Sequence, residues 1–217
     1  MNRTAKILIA GTALLILPAS LACAQTSTDV SNILNGQINL QSDVSKLNTT
    51  VTNAVGNVNA ASVAGGNNTE IFTMNNTNVI NKQYVGSSAD IVAIQNADVQ
   101  NAGGTVTLQA QAVCNGADVS TDPSYVNVKS NQQCDATDPY AELNANVTNA
   151  GNDTTLTSSA VGNTFSEDTN APASNITTRQ LNNSTVEAVV NSTVTNVAGN
   201  VTINSSAIGN NSQIIHY

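Results

Sequence analysis

Apolar and polar residues alternate with a period of two along short stretches of the chain. Residues 201–208 carry small or apolar side chains at every second position, and residues 106–112 show the same alternation. This period is typical of a β-strand, because successive side chains of a strand point to opposite faces. Gly199-Asn200 and Gly209-Asn210 bracket the first stretch, and both residue types favour turns. The pattern therefore predicts a unit of turn, strand and turn.

This unit belongs to a frame that occurs four times without an internal gap. The copies begin at Val51, Val99, Val147 and Val194, so their spacings are 48, 48 and 47 residues. Internal similarity at this length is typical of repeat architectures. Three columns of asparagine recur with the frame, and we predict that they stack as ladders: Asn48, Asn96, Asn144 and Asn191; Asn53, Asn101, Asn149 and Asn196; and Asn67, Asn115, Asn163 and Asn210.

The composition is unlike that of an ordinary enzyme core. The chain has 217 residues, a formal net charge of −8, 9% charged residues, 3% aromatic residues and no tryptophan. A domain of this size normally buries many large apolar side chains, whereas the β-branched content and low charge argue against disorder. A β-solenoid resolves the conflict, since each coil needs only a thin apolar strip inside. We therefore predict an all-β fold, a β-solenoid (β-helix) of stacked coils built from a 48-residue repeat.

The repeat length also predicts the number of coils. A period of 48 residues is about twice the roughly 20 to 29 residues of many solenoid coils, so we infer two coils per repeat. About eight coils follow, and at about 4.8 Å per coil they would form a short rod about 40 Å tall.

The N-terminus has the features of a targeting segment. Arg3 and Lys6 precede an apolar stretch at residues 7–17, and the triplet Ala-Cys-Ala at residues 22–24 fits a cleavage site. Residues 1–24 are therefore predicted to be a cleaved signal peptide, and the mature chain is expected to be exported. Acylation of the cysteine in this triplet, as in a lipoprotein, is the alternative.

The pattern changes after the signal peptide. Residues 25–50 combine a heptad-like spacing of apolar residues with Gly36 and with short alternating stretches, so they are expected to form an irregular first coil or a short helix. Residues 51–217 are predicted to be the asparagine-rich solenoid.

Two cysteines remain after the signal peptide, Cys114 and Cys134. In an exported protein they are expected to form a disulfide, which would close an insertion near residues 114–134. The same segment is rich in aspartate, and its oxygen atoms either hold calcium or form a solvated acidic loop. The sequence leaves this choice open for Asp118, Asp122, Asp135 and Asp138.

Catalytic chemistry has few residues to use. We find no base beside a nucleophile, and so predict that the protein is not an enzyme and has no cofactor. The acidic balance and the lack of aromatic residues argue against a nucleic-acid partner. The cationic residues after the signal peptide are Lys46, Lys82, Lys129 and Arg179.

The asparagine-rich repeats with Gly-Asn punctuation resemble those of curlin-type fibre subunits and, with the length and acidic composition, the secreted holdfast-anchoring proteins of stalked bacteria. The resemblance implies a structural protein at the cell surface or outside the cell, associated with the outer membrane. Such a protein would self-assemble into fibre-like multimers, anchor an adhesive extracellular polysaccharide to the cell envelope, and use an outer-membrane secretion or anchoring partner.

Two other functions remain open. The stretch SSAIGNN at residues 205–211 is similar to the head repeats of trimeric autotransporter adhesins, so a stand-alone surface adhesin that binds a host or environmental glycan is the main alternative. An ice-binding solenoid needs a regular threonine array, and the corresponding column is interrupted at Gln100.

The ends of a solenoid expose unpaired main-chain groups, which natural monomers normally block. Residues 206–208 and 213–217 contain no proline and almost no charge. We therefore expect the C-terminal end to pair with another copy in an end-to-end multimer.

Overall fold

The computed structural model describes residues 30–122 and 125–217. Regular structure in this part of the chain consists of twelve β-strands joined by short corners. The signal peptide predicted at residues 1–24 lies outside the described residues. The strands are β1 (Ser31–Asn39), β2 (Asp43–Thr52), β3 (Val58–Thr73), β4 (Thr77–Val85), β5 (Ile91–Ala102), β6 (Val106–Thr121), β7 (Val126–Cys134), β8 (Pro139–Ala150), β9 (Thr154–Thr169), β10 (Ser174–Asn182), β11 (Glu187–Val197) and β12 (Val201–His216).

The strands form three parallel sheets of four strands each. The first sheet has the order β1-β4-β7-β10, the second β2-β5-β8-β11 and the third β3-β6-β9-β12. The chain visits the three sheets in turn, so every third strand stacks on the one before it. Three consecutive strands therefore make one coil, and the four coils span residues 31–73, 77–121, 126–169 and 174–216. The prediction of an all-β fold of stacked coils is confirmed.

The expected number of coils is wrong. Register partners on neighbouring strands lie 46 to 49 residues apart in the chain, so one full coil takes the whole period and the described chain has four coils, not eight. Strands of 9 residues in the first sheet and 16 in the third make the coil this long. Four coils rise only about 19 Å, whereas a 16-residue strand is about 50 Å long, so the stack is broader than it is tall and is not a rod.

The long third sheet packs against both of the shorter sheets. The first halves of its strands face the second sheet across an apolar core that includes Leu108, Ile91 and Leu143. The second halves face the first sheet across a smaller core around Phe165 and Val79. Inward and outward positions alternate along the strands, but in the third sheet the alternation shifts by one residue in mid-strand, where Cys114 and Asn115 are both buried. The interior of the third sheet therefore spans two apolar regions with a boundary at this shift.

The first coil is regular. β1 and β2 pair with β4 and β5 over their full lengths, so the described residues 30–50 of the segment 25–50 form strands of a regular coil, not the short helix or irregular coil that was expected. The alternation outweighs the heptad-like spacing here: Ile33 and Gln37 face inward, and Leu34 and Ile38 face outward. Gly36 fits without disruption because no atom lies near the position of its missing Cβ.

The corner between the second and third sheets has the same conformation in every coil. Asn53, Asn101, Asn149 and Asn196 have positive φ angles of 58°, 56°, 57° and 55°. Asparagine is one of the few residues other than glycine that adopts this left-handed conformation readily. Stacked corners also approach closely, since a Cβ on Gly151 would lie 2.7 Å from the carbonyl oxygen of Gly103. The asparagine column therefore marks the place where the chain turns.

The part of the chain that the structure describes contains no helix long and apolar enough to cross a membrane.

Candidate functional site

The predicted asparagine columns lie on neighbouring strands and form three hydrogen-bonded ladders. In the outer ladder, on the outside of the second sheet, each Nδ2 donates to the Oδ1 one coil earlier, at 2.7, 2.9 and 2.9 Å. In the corner ladder, at the positive-φ corners, the corresponding distances are 2.8, 2.8 and 3.1 Å. The core ladder runs inside the stack at 2.8, 2.8 and 2.7 Å, in the opposite direction. The members are Asn48, Asn96, Asn144 and Asn191 in the outer ladder, Asn53, Asn101, Asn149 and Asn196 in the corner ladder, and Asn67, Asn115, Asn163 and Asn210 in the core ladder.

The three ladders differ in burial. Asn115 and Asn163 are fully buried, whereas the outer and corner ladders are reached by solvent. Asn196 and Asn210, in the fourth coil, are exposed. Replacing either of these two should therefore cost little, because their neighbours can be hydrated. A larger cost is expected in the middle of the core ladder, where the asparagines are buried.

The core ladder also crosses the interior of the stack. Nδ2 of Asn67, Asn115 and Asn163 donates to main-chain carbonyl oxygens of the first sheet in the next coil, at 2.9, 3.0 and 2.8 Å. These acceptors belong to Tyr84, Gln133 and Leu181. Each bond joins the third sheet to the first at the boundary between the two apolar cores.

A glutamine ladder, which the 48-residue frame does not predict, lies beside the core ladder. Nε2 of each glutamine donates to Oε1 of the preceding one, at 2.8, 2.8 and 2.9 Å. Each Nε2 also donates to a carbonyl oxygen of the third sheet at 2.8 Å. Each of these carbonyl groups belongs to the residue directly after a core-ladder asparagine. In the same way, each carbonyl that accepts from the core ladder belongs to the residue directly after one of these glutamines. Gln37, Gln83, Gln132 and Gln180 form this ladder.

The glutamine spacings explain why the ladder was missed. They are 46, 49 and 48 residues, because the corners that lead into and out of the first sheet differ in length between coils. A frame fixed at 48 residues does not align them. The same irregularity hides a fourth asparagine ladder on the outside of the first sheet, with distances of 3.1, 3.2 and 3.3 Å. It consists of Asn32, Asn78, Asn127 and Asn175.

The corner ladder gives a direct test of the turn. Replacing Asn101 by alanine should destabilise the protein by about 1 to 2 kcal/mol, since alanine pays the full steric cost of a left-handed residue. Asn101→Gly removes the same side-chain bonds but keeps the conformation accessible, so it should cost about 0.5 kcal/mol or less. Urea unfolding of the two variants measures the difference, and equal losses would show that the side-chain bonds and not the φ angle make this residue necessary.

The disulfide between Cys114 and Cys134 is confirmed. Cys114 lies in β6 of the second coil and Cys134 ends β7 of the third, so the bond ties two coils together. The stretch it closes is not an insertion that leaves the stack, because residues 114–121 and 126–134 lie in strands. In the first coil the position of Cys114 is occupied by Gly66, where a Cβ would lie 2.9 Å from a side-chain carbon of Val85. The disulfide therefore occupies a position at which the first coil has glycine and little space for a side chain.

The aspartates of this segment do not come together. Asp118 and Asp122 lie at the end of the third sheet, whereas Asp135 and Asp138 lie beyond the far end of β7. Some of them instead accept hydrogen bonds from neighbouring coils, as Asp122 does from Asn170 at 3.2 Å. Within residues 30–122 and 125–217, no group of three or more histidine, cysteine, aspartate or glutamate side chains is placed to hold a metal ion.

One carboxyl group in the described part of the chain is buried, and no sequence pattern singled it out. Glu167 in β9 is fully buried in an inward row with Val119 and Ile214. Its Oε1 accepts a hydrogen bond from the hydroxyl of Thr121 at 3.2 Å, and its Oε2 has no partner. Burial raises the pKa of Glu167 from its usual 4.5 to about 7, helped by the nearby carboxylate of Asp118. The side chain is therefore largely protonated in mildly acidic conditions.

A shallow groove follows the outer ladder across all four coils. It has a volume of about 520 Å³ and is open along its length. Side-chain amides and hydroxyls line it, with Asp98 accepting a hydrogen bond from Asn146 at 2.9 Å. The groove therefore offers neutral polar groups and one carboxylate, that of Asp98, and none of its lining residues is a cation.

The first and fourth coils are the edges of the described stack. They are more similar to each other than to the coils beside them: residues 31–73 and 174–216 match at 19 of 43 positions with a constant offset of 143 residues. The first and second coils match at only 10 of their 34 register-paired positions. The 19 matching positions, in first-coil numbers, are 31–33, 37, 39, 48, 50–53, 56–58, 62, 64, 66–68 and 71.

These features define a parallel β-helix held by polar ladders, with strand edges exposed at both ends of the described chain. A model of the family of holdfast attachment protein D (HfaD) matches residues 20–216. The chain belongs to this family, so it has a role in holdfast attachment and acts at the cell surface or outside the cell. The resemblance to holdfast proteins inferred from the repeats is thus confirmed. No curated protein and no solved structure matches the chain.

Proposed function

We propose that this protein is a secreted, non-catalytic structural subunit that assembles end to end into fibre-like multimers and anchors the holdfast polysaccharide to the cell envelope. The observation that carries the proposal is the likeness between the first and fourth coils. The first and fourth coils do not stack on each other within one chain. Their likeness is explained if the fourth coil of one copy stacks on the first coil of another, because matching side chains on stacked strands can form ladders.

The edge strands have the lengths that such stacking requires. β1 and β10 both have 9 residues, and β3 and β12 both have 16. At the constant offset, Gln180 would lie over Gln37 of the next copy and Asn191 over Asn48. The outer, corner, core and glutamine ladders would therefore all continue across the junction.

The direction of the ladders supports head-to-tail stacking. In the outer ladder each Nδ2 donates to the preceding coil, so Asn191 keeps a free ladder acceptor and Asn48 a free ladder donor, which complement each other. Asn210 is the last member of the core ladder in the described residues, which include no further coil to supply the carbonyl that the other three members use. The equivalent carbonyl in the next copy is that of Ile38. A contact between two different ends does not close on itself, so it generates a filament.

A filament suits anchoring because it repeats every surface of the subunit. Each copy adds about 19 Å to the stack, and many weak contacts with one polymer add up to a strong attachment. The end that receives no further copy remains available to an outer-membrane partner that secretes or anchors the fibre.

Ile214 gives a sharp test of assembly. Tyr217 N donates to Thr169 O, and alternate residues of a strand point their N–H groups to the same side, so the N–H of Ile214 faces away from the stack. Proline at an edge strand is tolerated where its missing N–H faces solvent. Ile214→Pro should therefore keep the fold but remove a donor that the next copy needs.

Sedimentation velocity of the purified chain measures the outcome. The wild-type protein should form multimers that lengthen with concentration, Ile214→Pro should remain a folded monomer, and the matched control Ile214→Ala should assemble. Cells that produce the proline variant should lose their holdfast on washing. Multimers of the proline variant would show that β12 is not in the junction. A wild-type protein that stays monomeric and binds glycans would favour the stand-alone adhesin.

A further inference from the structure

The cationic residues of the described chain are concentrated on one face. Lys82, Lys129 and Arg179 are exposed on the outside of the first sheet, and only Lys46 lies elsewhere. The strands of the first sheet contain no aspartate or glutamate. The strands of the other two sheets contain eight: Asp43, Glu70, Asp98, Asp118, Glu142, Glu167, Asp168 and Glu187.

The three cations form one cluster on this face. Asn131 in β7 has Lys82 as its register partner on one side and Arg179 on the other. Lys129 lies two residues before Asn131 on the same side of the strand. Strands are about 4.8 Å apart and alternate residues about 6.6 Å apart, so all three cations lie within about 10 Å of one another.

The surroundings of the cluster suit a sugar chain. On one side runs the ladder of Asn32, Asn78, Asn127 and Asn175, whose amides can bond to hydroxyl groups. On the other side lie Tyr84 and Ile38. Leu34 lies in the same row as Lys129, with Ile80 between them. The outward side chains of Leu34 and Ile38 are 74% and 72% exposed. Convergent polar groups beside apolar surface are typical of binding sites for small polar ligands.

We propose that the outer face of the first sheet binds an acidic polysaccharide, one whose sugars carry carboxylate groups. The carboxylates contact Lys82, Lys129 and Arg179. The sugar rings extend over the asparagine ladder on the outside of the first sheet and over the neighbouring side chains of Ile38 and Tyr84. The acidic remainder of the protein repels a polyanion, which confines binding to this face. A duplex nucleic acid fits poorly because a flat sheet presents no helix or ribbon to enter a groove. This inference rests on the proposed function, since it places the anchored polysaccharide on a particular surface.

Binding of polygalacturonate to the full chain tests the proposal, with dextran of equal length as the neutral polymer. The wild-type protein should bind polygalacturonate and not dextran, and the affinity should fall steeply as salt is raised from 50 to 500 mM. The triple variant Lys82→Gln, Lys129→Gln, Arg179→Gln should lose about ten-fold or more in affinity. Lys46→Gln removes a cation from the second sheet and is the matched control, which should bind as the wild type does.

Three results would overturn the proposal: equal binding of polygalacturonate and dextran, tighter binding of duplex DNA, or unchanged affinity in the triple variant. Loss of binding in Asn96→Ala, Asn144→Ala would place the polymer in the groove of the outer ladder instead. Sedimentation of the same samples separates this inference from the proposed function. The triple variant should still form multimers. A wild-type protein that stays monomeric but binds polygalacturonate through the three cations would contradict the proposed assembly and leave the binding proposal intact.

Discussion

The variant Glu167→Gln is expected to match the wild-type protein in stability at pH 4 and to exceed it by about 3 kcal/mol at pH 8. The reason is the burial of Glu167 in an apolar row, with one carboxyl oxygen bonded to Thr121 and the other without a partner. Burial and the neighbouring carboxylates of Asp118 and Asp168 raise the pKa of Glu167 to about 7. Each pKa unit corresponds to about 1.4 kcal/mol, which gives the size of the effect.

The sign follows from proton binding. Below pH 4.5 the group is protonated in both the folded and unfolded states, so it costs nothing extra on folding. Between pH 4.5 and about 7 the unfolded chain releases this proton and the folded chain keeps it. Stability therefore falls as the pH rises through this window and levels off above it.

Urea unfolding from pH 4 to 8 measures this dependence for three proteins. The wild type should show the fall, Glu167→Gln should show a flatter profile, and Asp168→Asn should keep most of the wild-type fall. Asp168 is the next residue of the same strand but faces outward, so it controls for the loss of one negative charge. Identical profiles for the wild type and Glu167→Gln would show that this carboxyl is not buried in solution.

Replacing Asn115 by alanine should destabilise the protein by about 3 to 5 kcal/mol. The side chain of Asn115 accepts a hydrogen bond from Asn67 and donates to Gln133 O and to Oδ1 of Asn163. Alanine leaves three buried polar groups without these partners, and each such group costs about 1 to 3 kcal/mol. The loss exceeds that of most single substitutions because water cannot reach the gap.

The matched control is Asn96→Ala in the outer ladder. Asn96 also has an asparagine above and below it at 2.9 and 2.7 Å, but solvent reaches these groups. Its replacement should cost about 1 kcal/mol or less, because water replaces the lost partners. Thermal or urea unfolding of both variants gives the comparison. Equal losses at the two positions would mean that ladder bonds stabilise the protein irrespective of burial.

The sequence predicts the stacking but not the size of a coil. Period-two alternation identifies strands, and asparagines at a fixed spacing identify residues that lie on adjacent strands. The pattern does not show where one sheet ends and the next begins, because the alternation shifts by one residue inside the 16-residue strands although these strands do not end there. Two coils per repeat was therefore a reasonable inference from length and a wrong one. The disulfide was predictable because only two cysteines remain in the exported chain.

Other parts of the site depend on register, which the sequence does not reveal. Gln37, Gln83 and Gln132 stack only because the corners between coils are two residues shorter in one case and one residue longer in the other than a 48-residue period requires. Glu167 is buried because it lies between apolar residues of the two neighbouring strands. Nothing in the residues before and after it in the sequence marks it as buried. The cationic face is equally invisible, because its residues are separated by 47 and 50 positions and meet only across the strands of one sheet.

The arrangement of the coils also fixes how much chain the stack stores. One coil contributes about 4.8 Å to the height but contains about 48 residues, which span about 160 Å when fully extended. A force that unfolds the stack along its axis can therefore extend each coil to about thirty times the height that it occupies when folded. The Cys114–Cys134 bond withholds the 20 residues it closes from this extension and limits the distance between the second and third coils. The extensibility of the stack is thus set coil by coil, with a covalent limit between its second and third coils.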